Sequence, residues 1–101
     1  MMIIKKHKSS RGLIVALCDD SILGKKFCDG DAVLDLSSDF YSGERVDGDD
    51  ALKICRRAYI INAAGRDSVS FLIKNKFIGN KSMIRVGGVP YAQCLITGNE
   101  M

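Results

Sequence analysis

Two short segments of this 101-residue chain combine residue types that could bind a ligand. In the first, Gly24-Lys25-Lys26-Phe27, two cations stand beside an aromatic ring. Lysine attracts phosphate and phenylalanine offers a stacking face, which is the pairing that proteins use for single-stranded nucleic acid. The alternative interpretation is a core position for Phe27 between solvated lysines, Lys25 and Lys26, and the usual burial of phenylalanine favours it.

The second segment is Gly87-Gly88-Val89-Pro90, which is predicted to form a tight turn between two strands. Paired glycines permit positive φ, and exposed N–H groups in such a turn can form an anion-binding nest. The segment lacks the G-x-x-x-x-G-K-[ST] pattern of a phosphate-binding loop, and a hairpin turn would need Gly87 and Gly88 for its geometry alone. Tyr91 and Gln93 follow on one strand face and could read a ligand, whereas Tyr91 could equally cover the sheet edge.

The sequence gives little support to a catalytic or metal-binding arrangement. Its single histidine, His7, lies among lysines without a nearby carboxylate to orient it, and the acidic runs suit turns and helix caps. The four cysteines show no C-x₂-C spacing, and Cys18, Cys55 and Cys94 lie within apolar patterns. We therefore expect these three thiols to be buried and reduced, and we predict no catalytic residue, no metal and no cofactor. Whether the protein is an enzyme stays open.

Composition places the chain among soluble globular proteins. It carries 15 Lys+Arg against 12 Asp+Glu, a net charge of +3, with 47% apolar and 27% charged residues. Wholesale disorder is excluded, and no apolar run approaches the roughly 18–20 residues of a membrane span. We expect one cytoplasmic domain over residues 1–101, with no signal peptide and no membrane partner. The net charge is mild for a nucleic-acid binder, although the basic residues form two groups on either side of an acidic middle.

The elements that must position these residues are predicted in the order β-β-β-α-α-β-β. The predicted strands cover residues 2–7, 12–18, 32–36, 83–86 and 91–97, and the predicted helices cover 51–64 and 66–77. Because strands and helices cluster, we predict an α+β fold: a mainly antiparallel sheet of about five strands with a two-helix pair packed on one face. Strand 12–18 lacks polar alternation and should lie inside the sheet. Residues 25–30 are interpreted as a loop, Gly65 as a helix end, and Asn62 as a structural amide at the helix junction.

Five short strings occur together in an order that is typical of one family. They are Leu23–Phe27, Gly30-Asp31, Phe40–Glu44, Asn62–Gly65 and Gly87–Gln93. On these strings the chain resembles, from Ile3 to about Ile96, an archaeal family of small conserved proteins, domain-of-unknown-function family four-twenty-four. This chain has Tyr91 where the family often has histidine, which counts against a metal-ligating or proton-transferring role there. The resemblance implies no activity, but the family's archaeal housekeeping character suggests a role near translation or another RNA process.

Three functions follow as alternatives. The first is a non-enzymatic binding module whose partner is RNA or a ribonucleoprotein, bound mainly through phosphate contacts. Those contacts are predicted at Lys25 and Lys26, with the same surface extended by Arg56, Arg57 and Arg85. The second is a small-molecule-binding protein or enzyme with its site at Gly87–Gln93. The third is a structural subunit that assembles as a homo-oligomer through sheet contacts.

Overall fold

The computed structural model describes residues 1–96 of the chain. Its strands are β1 (Met2–Ser9), β2 (Gly12–Asp19), β3 (Lys26–Asp29), β4 (Ala32–Asp35), β5 (Glu44–Val46), β6 (Ala58–Ala64), β7 (Ile84–Val86) and β8 (Val89–Leu95). Its helices are α1 (Gly48–Cys55) and α2 (Arg66–Lys74), with a 3₁₀ turn at Asn80–Ser82. Six strands form one sheet in the order β5-β1-β2-β6-β8-β7, and β3 and β4 form a separate hairpin. The predicted last strand ended at residue 97, which lies outside the described residues.

The predicted α+β class and the mainly antiparallel sheet are confirmed. The pairings within the six-stranded sheet are antiparallel except that of β2 with β6, which is parallel. β2 has a neighbour on each side, as its unbroken apolar sequence predicts. The predicted hairpin at Gly87 and Gly88 also forms, with φ angles of 58° and 81° that suit a type I′ turn.

The helix predicted over residues 51–64 is wrong. The chain is helical only as far as Cys55 and then forms β6, which lies between β2 and β8. A short apolar segment that is buried on both faces cannot be told from a buried helix by periodicity alone. The β-branched pair Ile60-Ile61 was the local signal for a strand. The sheet therefore has six strands, and β6 separates α1 from α2, so the predicted bent helix pair does not form.

Gly65 is the N-cap residue directly before α2, whereas the sequence predicted it at the end of a helix. Its φ is 108°, and a Cβ built there would lie 2.3 Å from the carboxyl carbon of Asp19. Asp19, the last residue of β2, accepts hydrogen bonds from the backbone N–H groups of Asp67 and Ser68 at 2.9 and 2.8 Å. It also accepts one from the Ser68 hydroxyl at 2.8 Å. A buried carboxylate from a neighbouring strand thus supplies the helix cap that Gly65 cannot provide.

The interpretation of residues 25–30 as a loop is also wrong, because they contain β3. β3 pairs with β4 in register, with Lys26 opposite Asp35 and Phe27 opposite Leu34. The hairpin covers one face of the sheet: Phe27 and Leu34 pack with Cys18 in a small core. β3 is difficult to predict from sequence because only one of its four side chains is even partly buried, so the strand has no apolar face that the sequence could reveal.

Both faces of the sheet are therefore packed, and the buried thiols are divided between them. α1 and α2 cover one face, where Cys55 and Cys94 belong to the larger core. Cys18 belongs to the smaller core under the β3–β4 hairpin. All three are buried free thiols, as predicted, and burial raises the pKa of Cys18 and of Cys55 to about 12. None of the helices within residues 1–96 has the length and apolar character to cross a membrane.

Candidate functional site

The two segments that the sequence analysis treated separately meet at one end of the sheet. We call this the carboxyl end, because the parallel strands β2 and β6 finish there. The Gly87 N–H lies 3.4 Å from Asp29 Oδ2, and a Cβ at Gly87 would lie 3.2 Å from the Cys28 carbonyl oxygen and 3.4 Å from Phe27 Cβ. A glycine at position 87 is thus favoured by its positive φ and by the close approach of the two hairpins, in which a Cβ would make tight contacts. The Asp29 carboxylate already accepts from the Gly87 N–H, at the position where an anion would bind.

Lys25 and Lys26 are exposed at this end, but carboxylates accompany them. Residues 25–35 hold two lysines and three aspartates, so the hairpin has a net charge of −1. Hydrogen bonds from Ser37, and more weakly the nearby Lys26, lower the pKa of Asp35. An anionic ligand would therefore meet negative as well as positive side chains here. Phe27 is partly buried in the small core, in agreement with its core interpretation.

A cavity of about 320 Å³ lies beside Gly88 at the same end. Its lining includes Asp19, Gly65 and Pro90 but not Tyr91 or Gln93. The Asp19 carboxylate is already engaged by three donors of α2. Within residues 1–96, no three His, Cys, Asp or Glu side chains are grouped closely enough to hold a metal ion.

Tyr91 and Gln93 share one strand face, as predicted, and both contact Asn62. The Tyr91 hydroxyl donates to Asn62 Oδ1 at 2.9 Å, and Gln93 Nε2 donates to the same oxygen at 3.1 Å. Asn62 is 7% exposed and lies in the middle of β6, not at a helix junction. Burial raises the pKa of Tyr91, so its hydroxyl remains a neutral donor. We call these three residues the amide cluster.

The amide cluster lies on the sheet face opposite the helices. The residues on either side of Asn62, namely Ile61 and Ala63, pack in the helix-side core, and side chains alternate along a strand. The β3–β4 hairpin and the buried Tyr41 cover the part of this face that is nearest the carboxyl end. The remaining part, nearest the strand starts, carries Leu95, which is 55% exposed. We call this remaining part the open sheet face.

Cross-strand register organises the open sheet face into two rows. The first row consists of His7, Ile14, Ile60 and Leu95. The second row consists of Lys5, Ala16, Asn62 and Gln93. The His7 ring stacks on Phe40, with ring centroids 4.7 Å apart, and its Nε2 lies 2.9 Å from the Phe40 carbonyl oxygen. We call Ile14, Ile60 and Leu95 the apolar row. It lies directly beside the second, more polar row, and the stacked rings of His7 and Phe40 lie at its β1 edge.

A groove at the opposite, amino end of β2 and β6 gathers a different set of basic residues. It has a volume of about 450 Å³ and is lined by Arg11, Gly12, Arg56, Arg57, Ala58, Tyr59 and Ile96. Arg11 precedes β2 and Arg57 precedes β6, and the parallel pairing of these strands brings both to one edge. A hydrogen bond with Tyr59 raises the pKa of Arg11. We call this site the arginine groove.

The arginine groove differs from the carboxyl end in the charge of the described residues that surround it. None of its seven lining residues is acidic. Among the ion pairs formed within residues 1–96, none involves Arg11, Arg56 or Arg57. This grouping was not predicted, because the helix predicted over residues 51–64 placed Arg56 and Arg57 in mid-helix, away from the β1–β2 turn.

The structure does not place all the predicted phosphate-binding residues on one surface. Arg56 and Arg57 lie at the amino end, whereas Lys25 and Lys26 lie at the carboxyl end, roughly 20 Å away along the strands. Arg85 pairs with Pro90 on β8 and, together with Arg66, lines a cavity of about 200 Å³ on the carboxyl side. The predicted extension of one basic surface from Lys25 to Arg57 is therefore wrong.

Comparison with known proteins agrees with this α+β architecture. A family profile described as a protein of unknown function (DUF424) matches residues 7–96, and the chain therefore belongs to that family. A crystal structure of an uncharacterized conserved protein from Methanopyrus kandleri is 28% identical, with a TM-score of 0.81. The match covers 94% of this chain and 90% of that one. Methanopyrus kandleri is an archaeon, in agreement with the archaeal character that the resemblance implied. No curated protein matches the chain.

Proposed function

We propose that this protein is a non-enzymatic RNA-binding module that holds the phosphate backbone in the arginine groove. The observation that carries the proposal is that three arginines line one groove and that, among residues 1–96, no carboxylate lines it with them. A guanidinium presents five donors in a planar fork that matches the oxygens of a phosphate group. Bidentate arginine–phosphate contacts are among the stronger hydrogen bonds that proteins make.

A structural role accounts for only part of this arrangement. Arg56 and Arg57 follow the last residue of α1, where the carbonyl dipoles of a helix favour a cation. Arg11 comes from the β1–β2 turn, not from a helix end, and it hydrogen-bonds to Tyr59. Gathering three arginines that form no ion pair within residues 1–96 is unfavourable in the free protein, and a polyanion would relieve the repulsion between them.

The number of arginines sets the expected salt dependence. Each phosphate contact to single-stranded nucleic acid contributes roughly −0.7 to the slope of log affinity against log salt. Three contacts therefore predict a slope of about −2 for single-stranded RNA. A salt slope of this modest size agrees with the small net charge of +3, because few phosphates are neutralised.

The test compares RNA binding by two double variants that lose the same charge at opposite ends of the sheet. Arg56→Ala/Arg57→Ala removes two groove cations, and Lys25→Ala/Lys26→Ala is its matched control. We expect the arginine variant to bind a single-stranded RNA about 10–100-fold more weakly, with the salt slope reduced by roughly 1.4. We expect the lysine variant to change affinity by less than about threefold, since exposed charges far from the ligand act weakly.

Filter binding or fluorescence anisotropy at several salt concentrations gives both quantities. All four residues are exposed, so neither variant should lose the fold, which circular dichroism would verify. Absence of salt-sensitive RNA binding by the wild type would refute the proposal. Equal weakening by the two variants would refute the placement of the site in the arginine groove.

A further inference from the structure

Asn62 has a hydrogen-bonding group that the chain leaves unused. Its Oδ1 accepts from Tyr91 and Gln93, whereas its Nδ2 makes no hydrogen bond to any residue within 1–96. The side chain is more than nine-tenths buried, yet the nitrogen keeps contact with the surface, because no fully buried side-chain polar atom in that range lacks a partner. Buried amides usually have their donors satisfied, so this donor points to an acceptor from outside the chain.

Gln93 places an acceptor beside this donor. Its Nε2 is engaged with Asn62, which leaves Oε1 without a partner in the described part of the chain. Gln93 is exposed and faces the same side of the sheet as Asn62, directly opposite it in register. The two amides therefore present one donor and one acceptor, side by side, to a ligand lying on the open sheet face.

The apolar row supplies a surface next to this donor–acceptor pair. Ile14 and Ile60 are half-buried, and Leu95 is 55% exposed. These side chains lie one row away from Asn62 and Gln93, toward the amino end of β2 and β6. The row also lies two residues from Gly12 and Ala58 of the arginine groove, roughly 7 Å along the strands.

We propose that the open sheet face binds the base of an unpaired nucleotide. Asn62 and Gln93 hydrogen-bond to the base edge, and the apolar row packs against its ring. Every nucleobase shows a donor and an acceptor in adjacent positions, and these are free only when the base is not paired. This inference rests on the proposed function for its link to RNA, since a phosphate held in the arginine groove would place a neighbouring base on this row. The same chemistry would take the base of a free nucleotide.

The test observes the side-chain amide signals directly. In ¹⁵N-correlated NMR spectra, the Asn62 and Gln93 amide groups are followed during titration with the four ribonucleoside monophosphates and a short single-stranded RNA. Ribose 5-phosphate, which lacks a base, is the control ligand. The exposed amide of Asn80 is the control residue. We expect shifts of the Asn62 and Gln93 signals with base-bearing ligands only, and none at Asn80.

A variant adds an affinity measurement. Gln93→Met keeps the length of the side chain and removes its amide. We expect its preference for a base-bearing single strand over an abasic strand of equal length to fall about 5–50-fold, because the variant loses the acceptor of the two-bond contact to the base edge. The salt slope should stay at the wild-type value, since the phosphate contacts remain.

The outcomes separate this inference from the proposed function. Static Asn62 and Gln93 signals with every base-bearing ligand would overturn the base site, even where salt-sensitive RNA binding persists. Shifts with mononucleotides in a protein that retains no RNA would support the base site, identify its ligand as a free nucleotide, and refute the RNA proposal. Equal wild-type affinity for base-bearing and abasic strands would also overturn the base site.

Discussion

The two ends of the central strands carry similar numbers of exposed cations but differ in what surrounds them. At the carboxyl end, Lys25 and Lys26 share their hairpin with three aspartates, and the segment has a net charge of −1. At the amino end, the part of the chain that the structure describes contributes no acidic residue to the lining of the arginine groove. The local electrostatic field depends on all neighbouring charges, so a count of lysines and arginines does not locate an anion site. The positions of the carboxylates must be known as well.

The same comparison applies to the strand ends themselves. In parallel sheets, ligands usually bind beyond the carboxyl ends of the strands. Here that position is used for structure, because Asp19 at the end of β2 accepts three hydrogen bonds from the start of α2. The helix start that could have received a ligand is thus satisfied by the chain's own carboxylate. The amino end carries no such bond and keeps its arginines free of ion pairs within residues 1–96.

The largest effect is expected from Asp19→Ala. The change leaves the Asp67 and Ser68 donors without a partner in a buried site, which should lower the free energy of unfolding by about 3–4 kcal/mol. Urea denaturation measures it. Asp20→Ala is the control, because Asp20 is partly exposed and pairs with Arg45 at 3.5 Å, and it should cost less than about 1 kcal/mol. Similar losses in the two variants would show that the carboxyl end is not held by Asp19.

Alkaline pH should destabilise both ends through their buried thiols. Cys18 lies near the carboxyl end and Cys55 directly before Arg56, and burial raises the pKa of each to about 12. The unfolded thiols ionise near pH 9, so the unfolded state holds fewer protons than the folded state above that pH. The thiol contribution to stability is therefore complete below about pH 8 and is lost as the pH rises, by at most about 1.4 kcal/mol per pH unit for each thiol.

Denaturant titrations between about pH 8 and pH 10 measure this slope, below the range in which tyrosines dominate. Cys18→Ala and Cys55→Ala should each remove a distinct part of it, the buried Cys94, whose pKa burial also raises, should account for a further part, and the exposed Cys28→Ala should leave it unchanged. An unchanged slope in both buried-thiol variants would contradict the assignment. A difference between them would show that one end of the sheet opens more readily than the other.

The sequence was sufficient where the relevant signal was local. The unbroken apolar run of β2 predicted an inner strand, and the paired glycines at 87–88 predicted the last hairpin. The shared face of Tyr91 and Gln93 followed from strand alternation alone. Asn62 could not be assigned to that face, because Ala58–Ala64 also fits a buried helix.

Interactions between distant segments could not be predicted. Asp19 and Ser68 are 49 positions apart, and Arg11 reaches the groove from a turn far in sequence from Arg57. Both arrangements depend on the parallel pairing of β2 and β6, which the misassigned helix removed from the predicted sheet. One error in a central strand therefore concealed both the structural carboxylate and the candidate site.

After the two losses of stability described above, the next largest effect is expected on RNA affinity, from reversing the charge of one groove arginine. Arg57→Glu places a carboxylate in the arginine groove and should weaken RNA binding by about 10–30-fold, since it removes one contact and repels a second phosphate. Lys26→Glu is the matched change at the carboxyl end and should have less than about a threefold effect. Binding curves at low and moderate salt measure both. A larger loss of affinity from Lys26→Glu than from Arg57→Glu would show that RNA binds at the carboxyl end and not in the arginine groove.

The smallest effect is expected when carboxylates are removed from the carboxyl end. Asp31→Asn/Asp35→Asn changes the net charge of residues 25–35 from −1 to +1, and an asparagine at 35 keeps the acceptor that Ser37 uses. If the carboxylates are what prevent this end from attracting RNA, affinity should rise by about two- to threefold at low salt. The increase should disappear at high salt, where the Debye length is only about 3 Å. Asp49→Asn/Asp50→Asn in the first turn of α1 adds the same charge elsewhere. An equal gain from that control would mean that total charge governs binding, and a gain above about tenfold at the hairpin would place the RNA site at the carboxyl end.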